Sequence, residues 1–395
     1  MHTRATRKIS ASVQSQSPMI GPVRIAHVSD YSLPRLGGIE VHVDGLVRHQ
    51  REAGHTVDVV TALDGNGGPF ARLRPSVIHE VADTIRAGRY DVVHVHAGVY
   101  TPIAFGAAAA ASRAGIPTVV TAHSLVNTAH VGLRALDLAT GWTRLPVAWT
   151  AVSQTAAGPL QRLLGPDVPV HVLPNAVDAA EWRVTPVPRD RDHVVIVAVN
   201  RLAMRKRPLP LLRSLRRARS EVDESVRMSA VIVGDGPQRA TLERAVARGG
   251  MADWVHVPGR LPHDAIRGLY GRADVFVAPA RLESFGIAAL EARAAGLPII
   301  AMAHSGISTF VTHGRDGLLV DDDRGLAAAI ATIATDETAR EGIAAHNRAC
   351  PPAFGWPEAL ARTEREYERA AAVQGVPRCR RPAQTRRPAP VKVSA

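Results

Sequence analysis

The chain has 395 residues, 46% of them hydrophobic, and a formal net charge of +12. That length exceeds one ordinary hydrophobic core, so two domains are expected. Residues 1–21 hold Arg4, Arg7 and Lys8 and no acid, and residues 374–395 hold Arg378, Arg380, Arg381, Arg386, Arg387 and Lys392 and no acid. The basic excess therefore sits mainly in the two ends, which argues against a nucleic-acid-binding body with a specific nucleic-acid partner.

Strand-like and helical patterns alternate along the chain, the signature of parallel sheets in an α/β protein. The first half predicts strands at Val23–Ser29, Val57–Thr61, Val92–His96, Thr118–Ala122, Ala148–Val152 and Val170–Leu173. Helices are expected from Gly38 to about Ala53-Gly54 and over Ala107–Ala114. After a proline-bearing joint near Asn175–Asp192 the pattern restarts. It gives strands at Val194–Val199, Met228–Val233, Trp254–Val257, Val275–Ala278, Pro298–Ala301 and Leu318–Val320. Helices over Pro208–Arg219, Pro237–Arg248, Ala265–Gly271 and Phe285–Ala295 lie between them. Trp356–Val373 reads as a last, highly charged helix with Pro357 in its first turn.

The expected fold class is thus α/β, two facing doubly wound Rossmann-like units. The division is 1–21 a disordered basic tail, 22–180 the first unit, 181–355 the second, 356–373 a final helix, and 374–395 a disordered Pro/Arg-rich tail. Active sites of such folds lie outside the carboxyl ends of the strands, here in the cleft between the units.

Several short motifs fall on that rim. Gly37-Gly38 follows the first strand and opens a helix, where backbone can approach a ligand closely; it is not a dinucleotide fingerprint. His123 closes the strand Thr118–Ala122 and faces the cleft. Arg201 and Lys206 follow the first strand of the second unit and suit a diphosphate, the Arg as a fork and the Lys as a point charge. Gly234-Asp235-Gly236-Pro237 makes a tight turn on the same rim. Val257-Pro258-Gly259-Arg260-Leu261 ends the next strand and offers backbone to a base edge.

The most informative stretch runs from the strand Val275–Ala278 through Glu283-Ser284-Phe285-Gly286-Ile287 to Glu291. A helix start exposes unpaired N–H groups and the positive end of the dipole, so it can hold a phosphate. A carboxylate on each side suits the hydroxyls of a sugar and of a ribose. Asp321-Asp322-Asp323 imitates a metal-holding motif, but it stands before a helix, where acids cap. No metal and no other cofactor is expected.

Together these motifs resemble the retaining glycosyltransferases of the GT-B fold, family 4, over about residues 22–373. The carriers are Glu283-x7-Glu291, the Gly-Gly pair, Val199-Asn200-Arg201-Leu202 with Lys206, Gly234-Asp235-Gly236-Pro237 and Leu173-Pro174-Asn175-Ala176-Val177-Asp178. The resemblance implies that Arg201 and Lys206 hold the donor diphosphate, with Gly286 and Ile287 donating backbone N–H groups. It implies that Glu283 meets the sugar near C3, that Glu291 holds the ribose, that Gly38 lies on the diphosphate and acceptor side, and that His123 lies near the sugar's C6 end. The final helix would cross back onto the first unit. Where the family usually has Gly-Gly-x-Pro-Glu, this chain has Ser305-Gly306-Ile307-Ser308-Thr309. Lys206 is followed by Arg207 rather than the common Gly, and His123 by Ser124 rather than an acid.

The expected function is metal-independent transfer of a hexosyl group from a nucleoside-diphosphate sugar to a hydroxyl acceptor (glycan, lipid or small alcohol). A lipid-linked or cell-envelope glycan precursor fits, with peripheral contact to an anionic membrane left open. Two alternatives stand beside it: a nucleotide-sugar epimerase on the same fold, and a protein using its basic tail on lipid or nucleic acid. Cys350 and Cys379 form neither a disulfide framework nor a metal pattern, and the basic start is followed by no apolar run, so a cytoplasmic location is expected. The segment 125–147, with Arg134, Trp142, Arg144 and several Leu, is either an apolar and basic surface for a phospholipid headgroup or ordinary helix packing.

Overall fold

The computed structural model describes residues 21–30, 37–61, 75–98, 101–126, 130–188, 190 and 192–376. Apart from residues 21 and 374–376, the two tails read as disordered lie outside the described residues, as do Cys379 and the stretch 31–36 before the Gly-Gly pair.

Among the described residues twelve strands form two six-stranded sheets, and all their pairings are parallel. The first sheet contains β1 (Arg24–Val28), β2 (Thr56–Val60), β3 (Val92–Ala97), β4 (Thr118–Ala122), β5 (Ala148–Ala151) and β6 (Val170–Val172), in the order β2-β1-β3-β4-β5-β6. The second contains β7 (His193–Val199), β8 (Arg227–Val233), β9 (Val255–Gly259), β10 (Val275–Ala278), β11 (Ile299–Met302) and β12 (Gly317–Val320), in the order β12-β11-β10-β7-β8-β9. Each strand coincides with one read from the sequence. Helices cover both faces of each sheet, so β3 and β4 are buried at every residue, although β3 carries His94 and His96 at alternate positions.

The helices are α1 (Gly38–Glu52), α2 (Pro75–Ala87), α3 (Pro102–Arg113), α4 (His130–Thr140), α5 (Gln154–Leu164), α6 (Ala179–Trp182), α7 (Pro208–Glu221), α8 (Arg239–Arg248), α9 (His263–Tyr270), α10 (Ile287–Ala294), α11 (Asp323–Thr335), α12 (Glu337–Ala349) and α13 (Trp356–Val373). Their boundaries follow local chemistry. Pro starts α3, α7 and α13 in the first turn, where a missing N–H costs nothing. Ser153, Asp178, Asp322 and Asp336 cap α5, α6, α11 and α12 through their side chains. Asp322 thereby takes a structural task, and Asp323 forms a fork with Arg207, so two of the three consecutive acids hold the protein together. The sequence places the start of the third helix at Ala107, but Pro102 starts it one and a half turns earlier. It likewise places α9 two residues late and starts α10 two residues early.

α13 returns to the first sheet. Its Tyr367 and Ala370 join the core made by Ile25, Val43, Val57, Val92 and Val119. Arg369 donates to the Trp149 carbonyl at 2.7 Å and Gln374 to that of Ser112 at 2.8 Å. Trp356 stacks on His42 and His49 of α1, with centroids 5.6 and 4.5 Å away. Gly45 makes room for it, since a Cβ there would strike the indole. No helix among the described residues is long and apolar enough to cross a membrane.

Candidate active site

Strand order decides which loops meet. In each sheet the chain reverses direction of winding beside its first strand, between β7 and β10 in the second and between β1 and β3 in the first. Loops diverge there and leave a crevice at the strands' carboxyl ends. Arg201 and Lys206 follow β7 and Glu283 follows β10, and at the crevice Lys206 and Glu283 meet. Lys206 Nζ donates to Glu283 Oε2 at 2.5 Å, with both side chains mostly buried. Arg201 is exposed; its carbonyl accepts from Ala203 N at 2.8 Å, and its side chain has no hydrogen-bond or ion-pair partner among the described residues.

The glycines of the rim act mainly by letting backbones touch. Gly234 and Gly236 have φ of +140° and +151°, and a Cβ on either would meet the carbonyl of Asn200 or Leu202. Leu202 N donates to Asp235 O at 2.8 Å, so this turn clamps the loop that carries Arg201. Gly286, at φ +91°, caps α10 without any side-chain bond, which leaves the first N–H groups of that helix unclaimed by a cap. Gly306 N donates to Glu283 O at 2.7 Å, and a Cβ on Gly306 would collide with the Ser284 carbonyl. The one glycine kept in Ser305-Gly306-Ile307-Ser308-Thr309 is therefore the one the Glu283 loop requires.

Arg207 has φ +57°, a left-handed conformation that explains why a glycine suits this place. Here the strain is held by two 2.8 Å bonds to Asp323 and one of 3.2 Å to the Pro279 carbonyl.

The first unit closes over the start of α10. Ser284 Oγ donates to His123 O at 2.6 Å, and Ser153 Oγ donates to Ser284 O at 2.6 Å. A Cβ on Gly38 would touch Ile287 Cδ1 at 3.5 Å. Gly38, His123, Ser284, Gly286 and Ile287 thus share one place, and Gly37 caps α1 beside it. Phe285 lies on the same loop. It is 2% exposed and its ring packs on Phe310 and Phe354, so the side chain belongs to the core.

Glu291 is buried on α10, and burial pushes its carboxyl above the usual range while His263 opposes the shift. His263 Nε2 is 3.7 Å from Glu291 Oε1, and the carboxylate beside it raises the His263 imidazole. His263 also sits edge-on to Trp182 at 4.2 Å. None of the sequence motifs pointed to this histidine. Arg260 is exposed and Leu261 half-buried just before it, at the far end of the same rim.

A second set of residues was also missed. His27, His94 and His96 lie on central strands, and with His42 and His123 they form a buried cluster. Burial depresses all five imidazoles, His27 and His123 to about 4. The signal was present in Val92-Val93-His94-Val95-His96, where period two puts both histidines on one face of a strand.

Comparison with known proteins matches these two halves. Residues 36–181 match the model of Glycosyltransferase Family 4, and residues 184–349 match that of Glycosyl transferases group 1. The D-inositol 3-phosphate glycosyltransferase of Xylanimonas cellulosilytica is 31% identical over 69% of this chain and 70% of its own. The chain is a family 4 glycosyltransferase. One component of the phosphatidylinositol N-acetylglucosaminyltransferase of Arabidopsis thaliana is 27% identical over 88% of this glycosyltransferase and 82% of its own length. In fold, the enzyme is similar to Anabaena HepE in complex with UDP and glucose, with TM-score 0.68 and 20% identity over 87% of this chain and 98% of that one. It is similar in the same way to sucrose-phosphate synthase from Thermosynechococcus elongatus, with TM-score 0.66 and 20% identity over 89% of this chain and 99% of that one. The architecture is accordingly GT-B.

Proposed function

We propose that this glycosyltransferase moves a hexosyl group, with retention of configuration and without a metal, from a nucleoside-diphosphate sugar to a hydroxyl of an inositol-phosphate-bearing acceptor. The observation that carries the donor half is the meeting of Lys206, Glu283 and the uncapped start of α10 at one switch point, with Arg201 on the loop beside them. Arg201, Lys206 and the helix start balance the charge of the departing diphosphate, at about 3 kcal/mol per well-aimed donor. In the bound state the Lys206–Glu283 pair separates its tasks, Lys206 on phosphate and Glu283 on sugar hydroxyls, with Glu291 on the ribose. Double displacement needs two carboxylates about 5–5.5 Å apart across the sugar. We assign Glu283 alone to the sugar, so we favour attack on the face the diphosphate leaves, with the departing phosphate taking the acceptor proton.

The acceptor class is supported by the names of the relatives. They include D-inositol 3-phosphate glycosyltransferases, components of phosphatidylinositol N-acetylglucosaminyltransferases and a GDP-mannose-dependent phosphatidylinositol monomannoside mannosyltransferase of Mycobacterium tuberculosis, the last 31% identical over 53% of this chain. A lipid-borne acceptor fits the outer face of α4. Val131 and Leu138 are 84% and 87% exposed there, with Arg134 and Arg144 exposed nearby. Trp142, which the sequence left open between such a surface and helix packing, is 3% exposed and packed on Phe105 and Trp149.

Mass spectrometry of products from GDP- and UDP-hexoses, offered with inositol phosphate or with phosphatidylinositol vesicles, tests the reading. A glycosylated inositol product is expected, about 100-fold slower with Lys206→Ala. Failure of every donor with both acceptors, or full turnover by Lys206→Ala, would overturn it.

A further inference from the structure

Nine polar groups link the cleft to the interior of the first sheet. His123 Nε2 is 3.0 Å from His96 Nδ1, and His96 Nε2 is 2.8 Å from His27 Nδ1. His27 Nε2 is 2.6 Å from Gln50 Oε1, and Gln50 Nε2 is 2.9 Å from the Tyr367 hydroxyl. That hydroxyl is 3.1 Å from His94 Nδ1, and His94 Nε2 is 2.7 Å from Thr121 Oγ1. Thr121 and Thr150 hydroxyls are 2.6 Å apart, and Thr150 Oγ1 donates to Val120 O at 3.3 Å.

The last group decides the direction of all the others. A carbonyl oxygen can only accept. Thr150 therefore spends its proton on Val120 and must accept from Thr121, which must accept from His94 Nε2–H. The His94 Nδ1 lone pair then takes the Tyr367 proton, and Tyr367 accepts from the Gln50 NH2. That orients the amide, so Gln50 Oε1 accepts from His27 Nε2–H. His27 Nδ1 accepts from His96 Nε2–H, and His96 Nδ1 accepts from His123 Nε2–H. A neutral imidazole carries one proton, so the His123 Nδ1 is a bare lone pair. Burial keeps these rings neutral. Among the described residues no group bonds that Nδ1, while Nε2 is engaged by His96.

We infer that this one-way chain fixes the tautomer of His123, so that His123 meets the bound substrates only as a hydrogen-bond acceptor for a hydroxyl. Gln50, Tyr367, His27 and His96 are positioning residues, and Tyr367 places the crossing helix α13 in the circuit that sets the cleft. The role toward substrate rests on the glycosyl-transfer reading; the tautomer does not. The cluster His27, His94 and His96 also has the look of a metal-ligand set. Its 2.8 Å nitrogen pair is shorter than the roughly 3.3 Å between two nitrogens on a tetrahedral zinc, and each proton in the chain has an acceptor.

The test is a long-range proton–nitrogen spectrum of the full chain with ring-labelled histidine at neutral pH, recorded without substrate. The expected result is the Nε2–H tautomer at His27, His94, His96 and His123. Tyr367→Phe removes the link that orients Gln50; mixed tautomers at His123 and a fall in kcat of about five- to twentyfold are expected, with donor KM within about twofold. Gln50→Met is the second variant and gives the same pattern. An Nδ1–H or doubly protonated His123 in the unaltered protein, stoichiometric zinc in it, or a variant with His123 unmoved and kcat within twofold would each overturn the inference. If Tyr367→Phe does not fold, the unaltered spectrum and Gln50→Met still decide. Because the spectrum needs no substrate, an inactive donor screen leaves it standing.

Discussion

A methyl group at Gly306 would strike the carbonyl of Ser284 and come within 2.8 Å of Phe285 N. The backbone there cannot yield without moving the loop that carries Glu283, so Gly306→Ala is expected to cost about 1–3 kcal/mol. Thermal melts and donor turnover should fall together; an unchanged melting temperature would contradict the packing argument. At this scale much of the site was legible. Glu283, Gly286, Glu291 and Lys206 announce themselves because they sit beside turns and helix starts whose chemistry is local. Gly234 and Gly236 were visible as a turn, but their reason, the carbonyls of Asn200 and Leu202, lies on another loop and leaves no mark in the sequence. The histidine chain was invisible for the same cause: His27 meets His96 and Gln50 meets Tyr367 only once the sheet is ordered.

Among the elements, the strands were read most reliably because burial on both faces writes them as short apolar runs. Helices were less legible. α5 carries Gly158 and Pro159 inside it, residues that weaken a helical pattern, and α11 is so rich in alanine that its periodicity is faint. β1, β3 and β4 hold an energetic consequence. His27 and His123 are held at about 4 against an unfolded value near 6.5, so the unfolded chain binds their protons first. Stability from this source is complete above about pH 6.5 and is lost as pH falls toward 4, at about 2 kcal/mol per ring by pH 5. His42, His94 and His96 act in the same direction. Urea melts at pH 7.5 and 5 should show a loss of several kcal/mol, and equal midpoints would show that the rings are not held neutral.

For the whole molecule, two short bonds tie the units across the cleft, Ser153 to the Ser284 carbonyl and Ser284 to that of His123. Each is worth about 0.5–1.5 kcal/mol net. Removing both in Ser153→Ala with Ser284→Ala should shift the balance toward an open form by about tenfold. Small-angle scattering would register this as a larger radius of gyration, with slower transfer. Unchanged scattering and turnover would mean that the joint near Asn175–Asp192 sets the closure instead.

The return of α13 to the first sheet has a consequence for biosynthesis. The residues that finish the core around Ile25 and Val92 leave the ribosome after the whole second unit has been made. The first half synthesised is thus the last half completed. Until then it waits with His42, His49 and the floor of its sheet uncovered, while the second sheet can already close. A nascent chain arrested short of Trp356 would hold one finished unit and one open unit, and chaperones would find their surface on the older half.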